Sequence, residues 1–331
     1  MATLGSNFIT LADWAKRLDP DGKIDAVAEL LNLTNPILDD MPFVQGNLPT
    51  GHKTTVRTGL PSATWRMLNY GVQPSKSSTA QVTDSCGMLE AYAEVDKALA
   101  DLNGNTSAFR LSEDRAFIEA MNQAMASTVF YGNTAVNPER FLGLAPRYNA
   151  LSGSQSAGNV LSGSGSGSTN TSVWLVCWGE NTIHGIFPKG SKAGLQHNDL
   201  GEVTLEDANG GKYQGYRTHY KWDIGMTVRD WRYVVRVANI DVTALTKNAA
   251  SGADLIDLMT QAIELLPEIK MGRPVFYCSR TVRSFLRRQI ANKVAASTLT
   301  MEQVSGKHVV SFDGIPVNRC DAILNTESAV S

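Results

Sequence analysis

Apolar positions along the chain change period several times, and each change marks a different kind of element. Over residues 9–33 two short helical patterns flank the turn signal Asp19-Pro-Asp-Gly22. The second sets Ile24, Val27, Leu30, Leu31 and Leu33 on one stripe before Asn35-Pro36 ends it. Such a short amphipathic element needs another surface to cover it and reads as an arm. From 43 to 85, β-prone runs (Thr54 to Arg57, Thr64 to Leu68) alternate with breakers at 49–51, 59–61 and 71–74. This is a long hairpin with too few apolar residues to bury itself, so it should lie on a neighbour. Residues 88–102 fit strand or helix equally well.

The clearest helix spans 112–130. Ser112 is the expected N-cap, Glu113 and Asp114 fill the first turn, and Phe117, Met121, Ala124, Met125 and Thr128 recur at helical spacing, with Gly132 placed to stop it. Residues 151–171 form a Gly/Ser tract expected to be a flexible surface loop. Strands are then expected at 173–178, at 201–205 and 213–220 around Asn209-Gly-Gly211, and at 224–238. The last third predicts a helix over 252–266, a strand at 275–277, a basic helix over 279–294 and strands near Val309 and Ile315. The fold class is α+β, with no internal repeat.

At 331 residues the chain exceeds a single ordinary core, so two lobes or one lobe with long extensions are expected. Charged residues make up only 19%, which suits a surface largely covered by partners, and the net charge of −2 excludes a global basic footprint for nucleic acid. Cys86, Cys177, Cys278 and Cys320 are too scattered for a disulfide framework or zinc site. The N-terminus lacks a signal-peptide pattern, and the uncharged stretch 148–179 is too rich in Gly, Ser and Asn to span a membrane.

The tests for chemistry are negative. Gly185 to Lys192 resembles a phosphate loop only superficially: its Lys and Ser are out of order, Pro188 interrupts it, and no helix follows. The five histidines show no metal-binding spacing. Cys177 and His184 lack a third, orienting group for nucleophilic catalysis. Catalytic residues, cofactors and metals are all expected to be none. The cations Arg280, Arg283, Arg287, Arg288 and Lys293 read as a solvated helix face, or as an interface to an acidic neighbour or packaged nucleic acid. Arg229, Trp231, Arg232 and Tyr233 also mix cations with aromatics.

Three blocks carry a resemblance. Residues 130–148 read Phe-Tyr-Gly-Asn-Thr-Ala-Val-Asn-Pro-Glu-Arg-Phe-Leu-Gly-Leu-Ala-Pro-Arg-Tyr. Residues 182–190 read Thr-Ile-His-Gly-Ile-Phe-Pro-Lys-Gly, and 222–241 run from Trp-Asp-Ile-Gly-Met-Thr-Val-Arg-Asp to Val-Arg-Val-Ala-Asn-Ile-Asp. Together they resemble the major capsid proteins of short-tailed phages, which have the Hong Kong 97 fold. The resemblance implies an N-terminal arm (1–42), an extended hairpin loop (43–85), a peripheral domain (86–249) with its spine helix at 112–131, and an axial domain (250–331).

It also implies a non-enzymatic coat protein, made in the bacterial cytoplasm, that assembles with itself into hexamers and pentamers around double-stranded DNA. Portal, scaffolding and cement proteins are the implied partners, with no membrane. His52, Lys53, Arg57, Trp65 and Arg66 are the candidate inter-subunit contacts; Lys53 and Lys76 lie on the hairpin, without an identifiable catalyst or partner for a covalent crosslink. One departure stands out, because the 224–238 strand precedes the helix-strand-helix block that ought to come before it. Two rival readings are a hydrolase using Cys177 and His184, and a monomeric ligand-binding module near Trp222 and Trp231.

Overall fold

The run Asn-Thr-Ser-Val-Trp-Leu-Val-Cys-Trp buries all nine of its residues as strand β5 (Asn170–Trp178), and the molecule is layered around it. A strand buried along its whole length requires cover on both faces. The computed structural model describes residues 33–331 apart from 105, 208, 246–252, 292–298 and 305–306, so the helical patterns over 9–32, and with them most of the arm, lie outside the described residues. Among the described residues, thirteen strands join one mixed sheet.

Beside β5 run β9 (Val234–Asp241) and β10 (Arg273–Cys278), both antiparallel to it. Beyond β10 lie β13 (Ile315–Arg319), β12 (Lys307–Phe312) and β11 (Leu299–Val304). On the other side β6 (Ile183–Phe187) leads to β8 (Lys212–Val228), which also carries β7 (Gln196–Glu206) and β3 (Ser78–Asp96); β2 (Gly51–Gly59) forms the far edge. Short strands β1 (Phe43–Gln45) and β4 (Val160–Ser162) pair with β6 and β9.

One face of the central sheet presents Trp174, Val176, Met226 and Tyr277 to the helices α1 (Ile37–Asp40) and α3 (Thr106–Tyr131). A short helix, α2 (Lys97–Ala100), links β3 to α3, and α4 (Leu144–Arg147) follows α3. The opposite face presents Val173, Leu175, Val235 and Phe276 to α5 (Leu255–Glu264) and α6 (Arg280–Ala291). Helix α5 buries Leu255, Met259, Ala262 and Ile263 at helical spacing, and its N-cap Asp254 accepts bonds from the amides of Ile256 and Asp257.

Several expectations are corrected. The spine helix α3 starts at Thr106, not at a Ser112 cap, because Phe109 is fully buried with Val95, Leu99 and Ala100, and this contact draws the first turns onto the body. At 1.5 Å per residue its 26 residues make a rod of about 39 Å. The run 224–238 is two strands: Asp230 accepts a bond from the Arg232 amide and caps a 3-10 turn at Trp231–Tyr233, which reverses the chain from β8 into β9. The ambiguous 88–102 segment is strand to Asp96 and helix thereafter. The Gly/Ser tract, expected to be loop throughout, contains a 3-10 turn at Gln155–Asn159 and then β4. Buried Asn159 ties that turn down by donating to the carbonyls of Arg232 and Val234. Residues on either side of position 250 share one sheet and one core, since β9, β5 and β10 are adjacent.

At the centre of the layers Arg236 is buried, with its guanidinium over the Trp174 ring. It donates to Glu327 (2.9 Å), to the Ser172 hydroxyl (3.0 Å) and to the Tyr148 carbonyl (2.8 Å). Glu327 also accepts from Tyr131 at the end of the spine helix (2.5 Å) and from Ser172. Removing one member of a buried pair leaves the other charge uncompensated. Glu327→Ala is therefore expected to cost about 3–5 kcal/mol in urea unfolding of the subunit, and pairing it with Arg236→Met should recover part of that loss. A single-variant effect under about 1 kcal/mol would contradict the assignment.

Candidate inter-subunit surface

Strand β3 is continuous over 19 residues, but it changes partner midway. From Ser78 to Ser85 it pairs with β2; from Cys86↔Gly225 to Asp96↔Gly215 it pairs with β8 in the body. The hairpin is thus the free half of a body strand, and its root lies at Ser85/Cys86. Backbones cross there at close range: a Cβ on Gly225 would sit 2.7 Å from the Ser85 carbonyl oxygen, and Gly51 packs its α-carbon against the Asp84 carbonyl. Glycine is required at such approaches for want of space.

A buried polar knot fixes the crossing. Asp84 accepts from Arg147 (2.7 Å) and from Thr227 (2.6 Å), and Arg147 also donates to the carbonyls of Leu142 and Met226 (both 3.3 Å). On the other hairpin strand, the His52 ring meets His184 of β6 edge-to-face at 6.1 Å. His184 is buried, and burial first, then the Arg229 cation, lower its pKa to about 4. The same two causes lower that of half-buried His52, against the opposing charge of Asp84.

Beyond the root, every residue from 60 to 83 is exposed. Residues 64–68, expected as strand, belong to a loop of 60–77 held by a turn from Met67 to Tyr70 and by the Ser75 hydroxyl on the Ser62 carbonyl (2.9 Å). Leu60 is 80% exposed, Leu68 87%, and Trp65 wholly so, with Met67, Tyr70 and Val72 alongside. Of the candidate contacts, Lys53 and Arg57 are exposed on β2 and Trp65 and Arg66 at the tip, whereas His52 turns inward to the root. Sequence reasoning missed the other apolar tip residues, whose signal was large side chains among turn formers, and it missed the Asp84–Arg147–Thr227 knot altogether.

The rival sites do not form. Cys177 is buried on β5, where burial pushes its thiol up to about 11, the wrong direction for a nucleophile. His184 faces His52. Trp222 and Trp231 are half-buried against the core. Residues 188–191 form a turn, with the Ser191 amide and hydroxyl bonded to the Pro188 carbonyl. On α6, Arg280, Arg287 and Arg288 are exposed, opposite buried Val282 and Leu286; Lys293 lies outside the described residues. No helix among the described residues is long and apolar enough to cross a membrane.

A rigid layered body with a long apolar-tipped projection is the construction of a lattice subunit rather than of a catalyst. A family model described as Major capsid protein GP7 matches residues 19–331, and the chain belongs to that family. It is 43% identical to a chain in the solved structure of bacteriophage Epsilon15, covering 100% of this chain and 99% of that one with a TM-score of 0.76. The capsid of a native GTA particle matches at 10% identity and TM-score 0.46, over 71% of this chain and 99% of that one. An encapsulin complex from Synechococcus elongatus matches at 11% and 0.45, over 72% and 99%. No curated protein matches. The protein is a phage major capsid protein with the Hong Kong 97-like fold, a structural component of the icosahedral virion shell and not an enzyme.

Asp84→Ala removes the anion that Arg147 needs at the root. It should lower stability by about 3 kcal/mol and raise amide exchange at 51–59 and 79–85 well above any change in β5. Equal exchange gains in both regions would show that the knot serves the whole body rather than the root.

Proposed function

We propose that the subunit joins its shell through the hairpin, laid across an adjacent subunit within hexamers and pentamers. The apolar tip is the observation that supports this. Leu60, Trp65, Met67, Leu68, Tyr70 and Val72 form a patch that the subunit leaves in water, and patches of that kind mark interaction surfaces. Lys53, Arg57, Trp65 and Arg66 supply contacts from the stem and tip, and His52 contributes through the root. Of the arm over residues 1–42, the segment before residue 33 would add a second bridge, since residues 34–42 pack on this subunit's own core. The block from 250 to 331 is axial together with β5 and β9, and the rest of 86–249 is peripheral. Closed symmetry repeats each contact many times, so modest interfaces hold a shell around packaged double-stranded DNA.

Portal, scaffolding and cement proteins complete the proposed partner set. The three signature blocks resemble coat proteins of short-tailed phages, that of a Bordetella phage among them, and we assign the virion to that class.

Excising residues 46–80 should abolish shells in electron micrographs while leaving a soluble folded core; normal shells from that variant would refute the hairpin's role. A gentler test is the triple change Trp65→Ser, Met67→Ser, Leu68→Ser. These side chains are exposed in the subunit, so stability should move by no more than about 0.5 kcal/mol per position while shell yield falls about tenfold.

A further inference from the structure

The polar cluster at the hairpin root contains more than the fold requires. Asp84, Arg147 and Thr227 already close the strand crossing, yet β2 and β6 also bring two imidazoles together in a site where His184 is buried. His184 pairs across strands with Thr227, the residue that donates to Asp84, so a change at the ring is felt directly by the knot. The charged groups facing the pair are Arg229 from the segment after β8, Glu180 from the β5–β6 turn, and Asp84 from β3, itself neutralised by Arg147 from α4. Arg229 is held in place by donating to the Glu180 carbonyl (3.1 Å). A proton added to either ring would therefore put a second cation beside a fixed one, with the nearest buried carboxylate already taken.

We propose that the His52–His184 contact is a proton-sensitive latch on the hairpin: closed while both rings are neutral, it releases the hairpin root from β6 when they are protonated. Release frees β2 and the 78–85 half of β3, whereas the 86–96 half stays in the body sheet with β8. The sign follows from the site. A histidine in the unfolded chain titrates near 6.5 and His184 in the closed site near 4, so the neutral ring is the bound form. The latch's contribution is complete above about pH 6.5 and is lost progressively as pH falls toward about 4. Its consequence for the shell rests on the hairpin's proposed role between subunits, but the latch lies within one chain.

Hydrogen exchange of the full-length, unassembled subunit tests it. After correction for the intrinsic pH dependence, protection at 51–57 and 79–85 should drop about tenfold between pH 7 and pH 4.5, with β5 and β9 unchanged. The double variant His52→Gln, His184→Gln removes both titrating rings and should show a flat profile. Protection that does not depend on pH, or a drop that survives in the double variant, overturns the latch. Should that variant not fold, NMR titration of the wild-type ring decides: a His184 midpoint near 6.5 overturns the proposal, and one well below it supports it. Normal shells from the tip variant, alongside an intact latch profile, would sink the docking role and leave the latch standing.

Discussion

The guanidinium of Arg236 is where the layers are joined. It lies in the core on the Trp174 ring and engages Ser172 of β5, the Tyr148 carbonyl beyond the spine helix, and Glu327 of the last segment. Glu327 passes the connection on to Tyr131 at the end of that helix. A charge so buried is tolerated only with its donors matched, so each of these segments must be in place before the others are stable. Asn239 works alongside it, donating to the Val330 carbonyl and accepting from the Val330 amide. The body is therefore closed by its C-terminal segment.

A closed body makes an extended hairpin workable. Because β3 belongs to both, the hairpin needs no core of its own near the root, and a few side chains at the crossing set its direction. The apolar tip leaves large side chains in water in a lone subunit, a cost that the proposed docking on a neighbour would remove.

How much of this was legible depends on whether the deciding contact was local. The continuous apolar run of β5 and the spacing in α5 announce themselves, since burial on two faces or one stripe leaves its period in the chain. The start of the spine helix did not, because Phe109 is held by Val95 and Leu99. Nor did the break at Trp231, where one aspartate cap interrupts a run that otherwise reads as strand. Asn159 orders a Gly/Ser tract through carbonyls more than seventy residues away. Of the surface, the exposed cations and Trp65 could be named from composition and motif. The Asp84–Arg147–Thr227 knot could not, because its members come together only when three elements cross.

The continuous β3 also has a mechanical meaning. A pull on the tip along the strand axis loads the ladder from Cys86↔Gly225 to Asp96↔Gly215 in shear, so all its rungs share the force at once. A pull across the sheet would instead peel them one by one. If the hairpin docks on a neighbour as proposed, tension along the shell surface would meet the stiffer direction of the sheet, and a ladder of ordinary hydrogen bonds would serve as a tensile joint without any covalent link.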